Sequence, residues 1–212
     1  SLDGELRARL RREARAAASL AHPNVALVHD FHEPSDGEPG FIAMELLRAP
    51  TLQQVLAGGG RLPLPRAVTL ILQLLSALEA AHRAGVVHRD VKPSNLLLAG
   101  GRAADVRVLD FGIARRAGAT GTWTRMGAIL GTVGYMAPEQ ARGERRVGPP
   151  ADVFGLGAVL FECLSGTPAF EGSNAVAALA KVLFDEPPPL AELRPAVPAP
   201  LAALVGRMLA KD

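Results

Sequence analysis

The stretch His88-Arg89-Asp90-Val91-Lys92-Pro93-Ser94-Asn95 constrains this chain more than any other. It comes shortly after a helix stop at Gly85 and runs directly into the apolar Leu96-Leu97-Leu98. Charged and amide side chains on a loop between a helix and a strand are where a rigid scaffold presents chemistry. A second string, Leu109-Asp110-Phe111-Gly112, closes another strand-like run. Asp90, Asn95 and Asp110 are oxygen donors, and Lys92 places an ammonium among them. Hard oxygen ligands with one ammonium suit Mg²⁺ and phosphate. Phosphoryl transfer needs a metal ion to neutralise the moving oxygens, a carboxylate to receive the nucleophile's proton, and a cation at the γ-phosphate. Any one of these residues could simply form a turn or a cap. For the set, that reading is poor.

The rest of the chain reads as a few strands and a helix followed by a mostly helical body. Leu6, Leu10, Glu13, Ala17 and Leu20 recur at spacings of four and three, one face of a helix that Asp3 would cap. Glu13 is the odd member: it is either a solvated edge residue or an inward carboxylate that needs a cation. His22-Pro23-Asn24 ends that helix, because proline disfavours helical geometry in the residue before it. Strands are expected at 25–31 and 40–45 around a polar turn, and a short helix at 51–57 before Gly58-Gly59-Gly60. Residues 65–84 form the clearest helix, with Val68, Ile71, Leu72, Leu75 and Leu78 expected on its apolar face. Short β-prone runs follow at 86–87, 96–98 and 106–109. Residues 113–134 have no lasting period and read as a long loop of the kind that usually carries function. Apolar helices are expected at 152–165 and 173–184, then a proline-rich connection at 186–200 and a last helix ending near Leu209.

Composition narrows the choice of partners. With 49% hydrophobic and 21% charged residues the chain is ordinary globular stock. A net charge of +2, with scattered arginines, argues against nucleic acid or an anionic membrane, which call for clustered cations. Residues 1–15 lack the apolar stretch of a signal peptide, and no membrane segment is expected within the chain. Cys163, the one cysteine, excludes an internal disulfide and reads as a small buried hydrophobe in a reducing, cytoplasmic setting.

Three ordered strings then carry a resemblance. His88, Arg89, Asp90, Lys92 and Asn95 meet the catalytic-loop pattern H-R-D-x-K-x-x-N; Asp110, Phe111 and Gly112 meet D-F-G; Ala137, Pro138 and Glu139 meet A-P-E. Over essentially its whole length the chain resembles the Ser/Thr protein kinase catalytic domain, in wording similar to bacterial kinases of eukaryotic type. The resemblance implies an α+β two-lobe fold, with residues 1–47 as a partial first lobe and 48–212 as a mostly helical second. It implies ATP and Mg²⁺ as cofactors and protein Ser/Thr hydroxyls as acceptors, with a second copy of the chain as an autophosphorylation partner. Asp90 would accept the hydroxyl proton, Asn95 and Asp110 would hold Mg²⁺, and Lys92 is the residue that Ser/Thr kinases carry there. Thr132 would tie Asp90 to Lys92. Glu45 and Leu47 would offer backbone groups to the adenine, with Met44 behind the ring and Leu97 beneath it, unless these are plain core. His88, Phe111, Gly112, Glu139 and Asp152 would be structural, Asp152 receiving backbone N–H groups from the catalytic loop. Arg89 would be an unpaired cation that a phosphate on the loop could neutralise. Thr120, Thr122 and Thr124 lie in that loop, and Thr124 is the nearest match to the usual site.

The resemblance also marks what this stretch lacks. The family's glycine-rich loop and strand lysine precede the helix bearing Glu13, which matches the position that pairs with that lysine, yet no lysine occurs before Lys92. The run 209–212 is similar to the one before the arginine that pairs with the Glu139 position. The chain therefore reads as a fragment, inactive alone, of an active kinase. Two rivals are a pseudokinase scaffold, against which intact Asp90, Asn95 and Asp110 argue, and a small-molecule phosphotransferase of similar fold. The latter enzymes lack Lys92 in this setting and the Ala137-Pro138-Glu139 segment.

Overall fold

Val28–His32 (β1) and Phe41–Met44 (β2) pair antiparallel, with Val28 opposite Met44 and His32 opposite Phe41. The strand expected from residue 25 starts later, because the residues before it are engaged elsewhere. Ala26 N–H donates to the Val108 carbonyl at 2.9 Å, and Val108 N–H donates to the Asn24 carbonyl at 2.8 Å. The Asn24 amide adds bonds to Gln73 Oε1 and the Val106 carbonyl, both at 2.9 Å. This short segment thus fastens the first strands to the helical body. The computed structural model describes residues 16, 20–32, 41–99, 105–109, 111, 133–144 and 146–211. Glu13, Asp110, Gly112, Thr120, Thr122, Thr124 and Thr132 lie outside the described residues, as does most of the loop expected at 113–134. Of the first helix, Ala16 is helical, and it and Leu20 pack against the core.

Leu52–Gly59 (α1) opens with a reciprocal cap. Thr51 Oγ1 accepts from Gln54 N–H at 3.2 Å while Gln54 Oε1 accepts from Thr51 N–H at 2.9 Å. Leu64–Arg83 (α2) has proline in its first turn and buries Ala67, Leu70, Ile71, Leu74, Ala77, Leu78 and Ala81. The expected face was partly wrong: Val68, Leu72 and Leu75 are exposed, Leu72 by 61%. Two stripes with helical spacing lie side by side on this helix, and the buried one contains the alanines, whose small size lets a neighbouring helix approach closely. By length and composition α2 could also cross a membrane. Its alanine-rich face lies instead in the common core.

Leu96–Leu98 (β3) and Val106–Val108 (β4) form a second antiparallel pair, whereas 86–87 form no strand. Pro138–Ala141 (α3), Pro149–Ser165 (α4), Ala175–Phe184 (α5), Leu190–Leu193 (α6) and Ala199–Met208 (α7) complete the body. The result is an α+β fold, helical in its larger part. Helix α4 is buried on nearly every side and packs against both α2 and α7, as expected of a helix apolar all round. Of its two carboxylates, Asp152 and Glu162, the second accepts a hydrogen bond from Tyr135 Oη at 2.6 Å. Burial pushes the carboxyl of Glu162 up, and the Tyr135 bond partly offsets this. Cys163 is fully buried, and burial pushes its thiol up as well.

Two glycines set how closely α4 meets its neighbours. A Cβ at Gly155 would lie 2.9 Å from Val91 Cβ and 3.0 Å from the Val91 carbonyl oxygen. At Gly157 it would lie 2.8 Å from Met208 Cβ. Gly155→Ala forces the backbone at Val91 to move and is expected to cost about 1–3 kcal/mol. Urea unfolding measures this, and an unchanged midpoint would show that the contact can relax.

Candidate active site

The loop at 88–95 is anchored from α4. Asp152, fully buried, accepts His88 N–H on Oδ2 at 2.9 Å and Arg89 N–H on Oδ1 at 2.7 Å. His82 Nε2, at the end of α2, lies 2.7 Å from Asp152 Oδ2. Burial pushes the Asp152 carboxyl above its ordinary range, while the His82 contact and the ring and N–H of His88 pull it back. Arg89 adopts φ 64°. This left-handed conformation costs a non-glycine residue about 1–3 kcal/mol unless the surroundings hold it. They do so at three points: Asp152 holds the N–H, Gln140 Nε2 donates to the carbonyl at 2.8 Å, and the guanidinium Nε and Nη2 donate to the Val147 carbonyl at 3.3 and 3.2 Å. The guanidinium that a loop phosphate was expected to meet is thus already bonded to the neutral Val147 carbonyl.

His88 links this loop to the segment after β4. Its Nε2 lies 2.9 Å from the Leu109 carbonyl and its Nδ1 3.2 Å from Asp90 N–H. A ring that accepts at Nδ1 and donates at Nε2 is the neutral Nε2–H tautomer. The same ring packs on Phe111 with centroids 4.7 Å apart. Pro93–Asn95 forms a 3₁₀ turn, from which Asn95 Nδ2 donates to the Asp90 carbonyl at 2.8 Å and to Asp90 Oδ2 at 3.1 Å. Lys92 Nζ lies 2.8 Å from the same Oδ2. Asp90, Lys92 and Asn95 therefore share one crevice, and Leu109 N–H on the Asn95 carbonyl at 2.9 Å brings the residue before Asp110 to its wall.

With Nδ2 of Asn95 committed to Asp90, the amide oxygen is the atom suited to a cation. Asn95 thus supplies a hard oxygen donor that fits Mg²⁺. Among the described residues no group of three or more His, Cys, Asp or Glu could hold a metal, and Asp110 is not among those residues.

On the strand side, Met44 ends β2 and is 38% exposed, and Leu97 is buried in β3 opposite Arg107. Glu45 N–H donates to the Leu27 carbonyl at 2.9 Å, and its Oε1 accepts Leu27 N–H at 2.9 Å. Leu47 is partly buried two residues on, and Glu139 lies in the first turn of α3. Two participants were missed from sequence: His82 and Gln140. His82 sits in the basic last turn of α2, and Gln140 stands third in a helix opened by proline, positions that often serve backbone groups.

A buried carboxylate under an Asp-x-Lys-x-x-Asn crevice is a specific arrangement, and comparison with known proteins agrees with it. The family model for the protein kinase domain matches residues 2–212. The chain belongs to the protein kinase family. This kinase domain is 42% identical over 193 residues to the serine/threonine-protein kinase PknA of Mycobacterium tuberculosis, covering 90% of the chain and 44% of that protein. It is 38% identical over 210 residues to PrkC of Bacillus subtilis, covering 99% of the chain and 32% of that protein. The kinase domain of Mycobacterium tuberculosis PknI, solved as a point mutant, superposes with a TM-score of 0.71 at 30% identity, covering 98% of this chain and 71% of that one. The chain thus spans less than half the length of the curated relatives PknA and PrkC.

Asp152→Ala leaves two backbone N–H groups and His82 without their acceptor and is expected to cost about 3 kcal/mol. Chemical denaturation reads this directly. A loss well under 1 kcal/mol would mean that water replaces the carboxylate.

Proposed function

We propose that this domain transfers the γ-phosphoryl group of ATP to Ser or Thr hydroxyls of protein substrates. The observation that carries the reading is the convergence of Lys92 Nζ and Asn95 Nδ2 on one oxygen of Asp90, at 2.8 and 3.1 Å. In this reading Asp90 accepts the proton of the attacking hydroxyl, and Lys92 meets the oxygens of the transferred group. Asn95 and Asp110 would hold Mg²⁺, which when bound neutralises charge on the phosphate oxygens. The nucleotide would lie where residues 1–47 meet 48–212, with Glu45, Leu47, Met44 and Leu97 around the adenine and Glu13 toward its phosphates. Glu139, Phe111 and Gly112 would keep the surrounding segments in place. Thr132 would brace Asp90 and Lys92, and Thr122 or Thr124 would carry a regulatory phosphate drawn toward the cation of Arg89. ATP as donor puts the chemistry in the cytoplasm, and autophosphorylation would bring two copies together.

No lysine precedes Lys92 within these 212 residues. The stretch alone is therefore expected to hold nucleotide weakly.

Asp90→Asn in the full-length protein is expected to lower the transfer rate by about 10²–10⁴ while leaving nucleotide binding intact. Phosphate incorporation from labelled ATP, beside a nucleotide-binding titration, measures both. A variant with undiminished rate would remove Asp90 as the base.

A further inference from the structure

The peptide joining Arg89 to Asp90 has two polar ends, and both are held by side chains. Its N–H faces His88 Nδ1 at 3.2 Å, and its carbonyl accepts from Gln140 Nε2 at 2.8 Å. The far end of the same Gln140 amide is also engaged, since Oε1 accepts Ala137 N–H at 3.0 Å. That bond settles the orientation of the amide, because only an oxygen can accept from a backbone N–H. Gln140 therefore bridges two backbones: the start of α3 and the residue before Asp90.

A peptide plane can swing while its chain ends stay still, if ψ of one residue and φ of the next change in opposite senses. A fully compensated swing leaves Cα and Cβ of Asp90 in place, but any change in ψ of Arg89 or φ of Asp90 that is not compensated turns the Cα–Cβ bond of Asp90. Arg89 sits at φ 64°, a conformation that a side-chain-bearing residue keeps only when its surroundings hold it. The Asp152 bond restrains the preceding peptide through Arg89 N–H. The carbonyl of the following peptide is held by Gln140.

We propose that Gln140 is a positioning residue for phosphoryl transfer: by donating to the Arg89 carbonyl it sets the peptide plane that aims the Asp90 carboxylate. This rests on the reading of Asp90 as the base. It also means that the placement of α3, directly after Ala137-Pro138-Glu139, is transmitted to the base by one amide group. Gln140 touches neither nucleotide nor acceptor, so its effect belongs in kcat rather than in the KM for ATP.

Two substitutions separate the halves of the bridge in the full-length protein. Gln140→Glu keeps an acceptor for Ala137 N–H and removes the donor to Arg89. Gln140→Lys keeps a donor and removes the acceptor. With ATP, Mg²⁺ and a Ser/Thr acceptor peptide, Gln140→Glu is expected to lower kcat by about 10- to 100-fold with the KM for ATP little changed. Deuterium uptake at 88–91 should rise in the same variant. Gln140→Lys should recover most of the lost kcat and the protection. The reverse order, with the Glu variant active and the Lys variant impaired, would reduce Gln140 to a cap for α3 and overturn the proposal, as would two variants both like wild type. A wild-type protein that transfers no phosphate would instead overturn the functional reading. Uptake at 88–91 would still decide the bridge, and unchanged uptake in Gln140→Glu would sink it.

Discussion

One carboxylate organises this molecule. Asp152 takes the N–H groups of two successive residues, His88 and Arg89, from inside a helix shielded from water. A charge so placed is tolerated only when its lone pairs are used, and here two backbone donors and His82 use them. In return the loop is held at a conformation that Arg89 would not adopt alone. Every feature of the crevice follows from that point: Asp90 comes next in the chain, Lys92 and Asn95 fold back over it, and His88 is turned toward the Leu109 carbonyl.

The buried polar or charged residues among those described are His88, Asn95 and Asp152. All three belong to the same assembly. Polar groups inside a protein must find partners, and those partners are geometrically demanding. The other fully buried side chains among the described residues are apolar, so this polar knot coincides with the place where chemistry is proposed. Comparison with PknA, PrkC and PknI fits that coincidence but does not produce it; it arises from distances within the chain.

The sequence was most legible where a local rule is strong. The short strands β3 and β4 follow from β-prone runs, α1 from the glycines that stop it, and α4 from its apolar composition. The site strings were legible because Asp90, Lys92 and Asn95 fall within one turn-rich loop, and their spacing already implies a shared crevice. What failed needed long-range information. Val68, Leu72 and Leu75 are as apolar as a core face, yet the alanine stripe beside them won because close helix approach rewards small residues. Val25 and Ala26 look like strand, but they pair with Val108, far along the chain. The place of Gln140 in its helix marks it as a cap for α3, but its second partner, the Arg89 carbonyl, belongs to a backbone shape that no spacing rule records.

Helix α4 carries Gly155 and Gly157, two positions apart and so about 200° around the axis. One glycine admits the backbone of the loop at Val91, the other the side of α7 at Met208. The helix therefore works like an axle gripped from opposite sides, and neither grip can loosen without disturbing the other. The carboxylate that holds the amides of His88 and Arg89 sits on this same helix, so those two bonds rest on a support fixed from two sides. The floor of the crevice is thus as firmly seated as the core beneath it, while the Arg89–Asp90 peptide above it leans on Gln140.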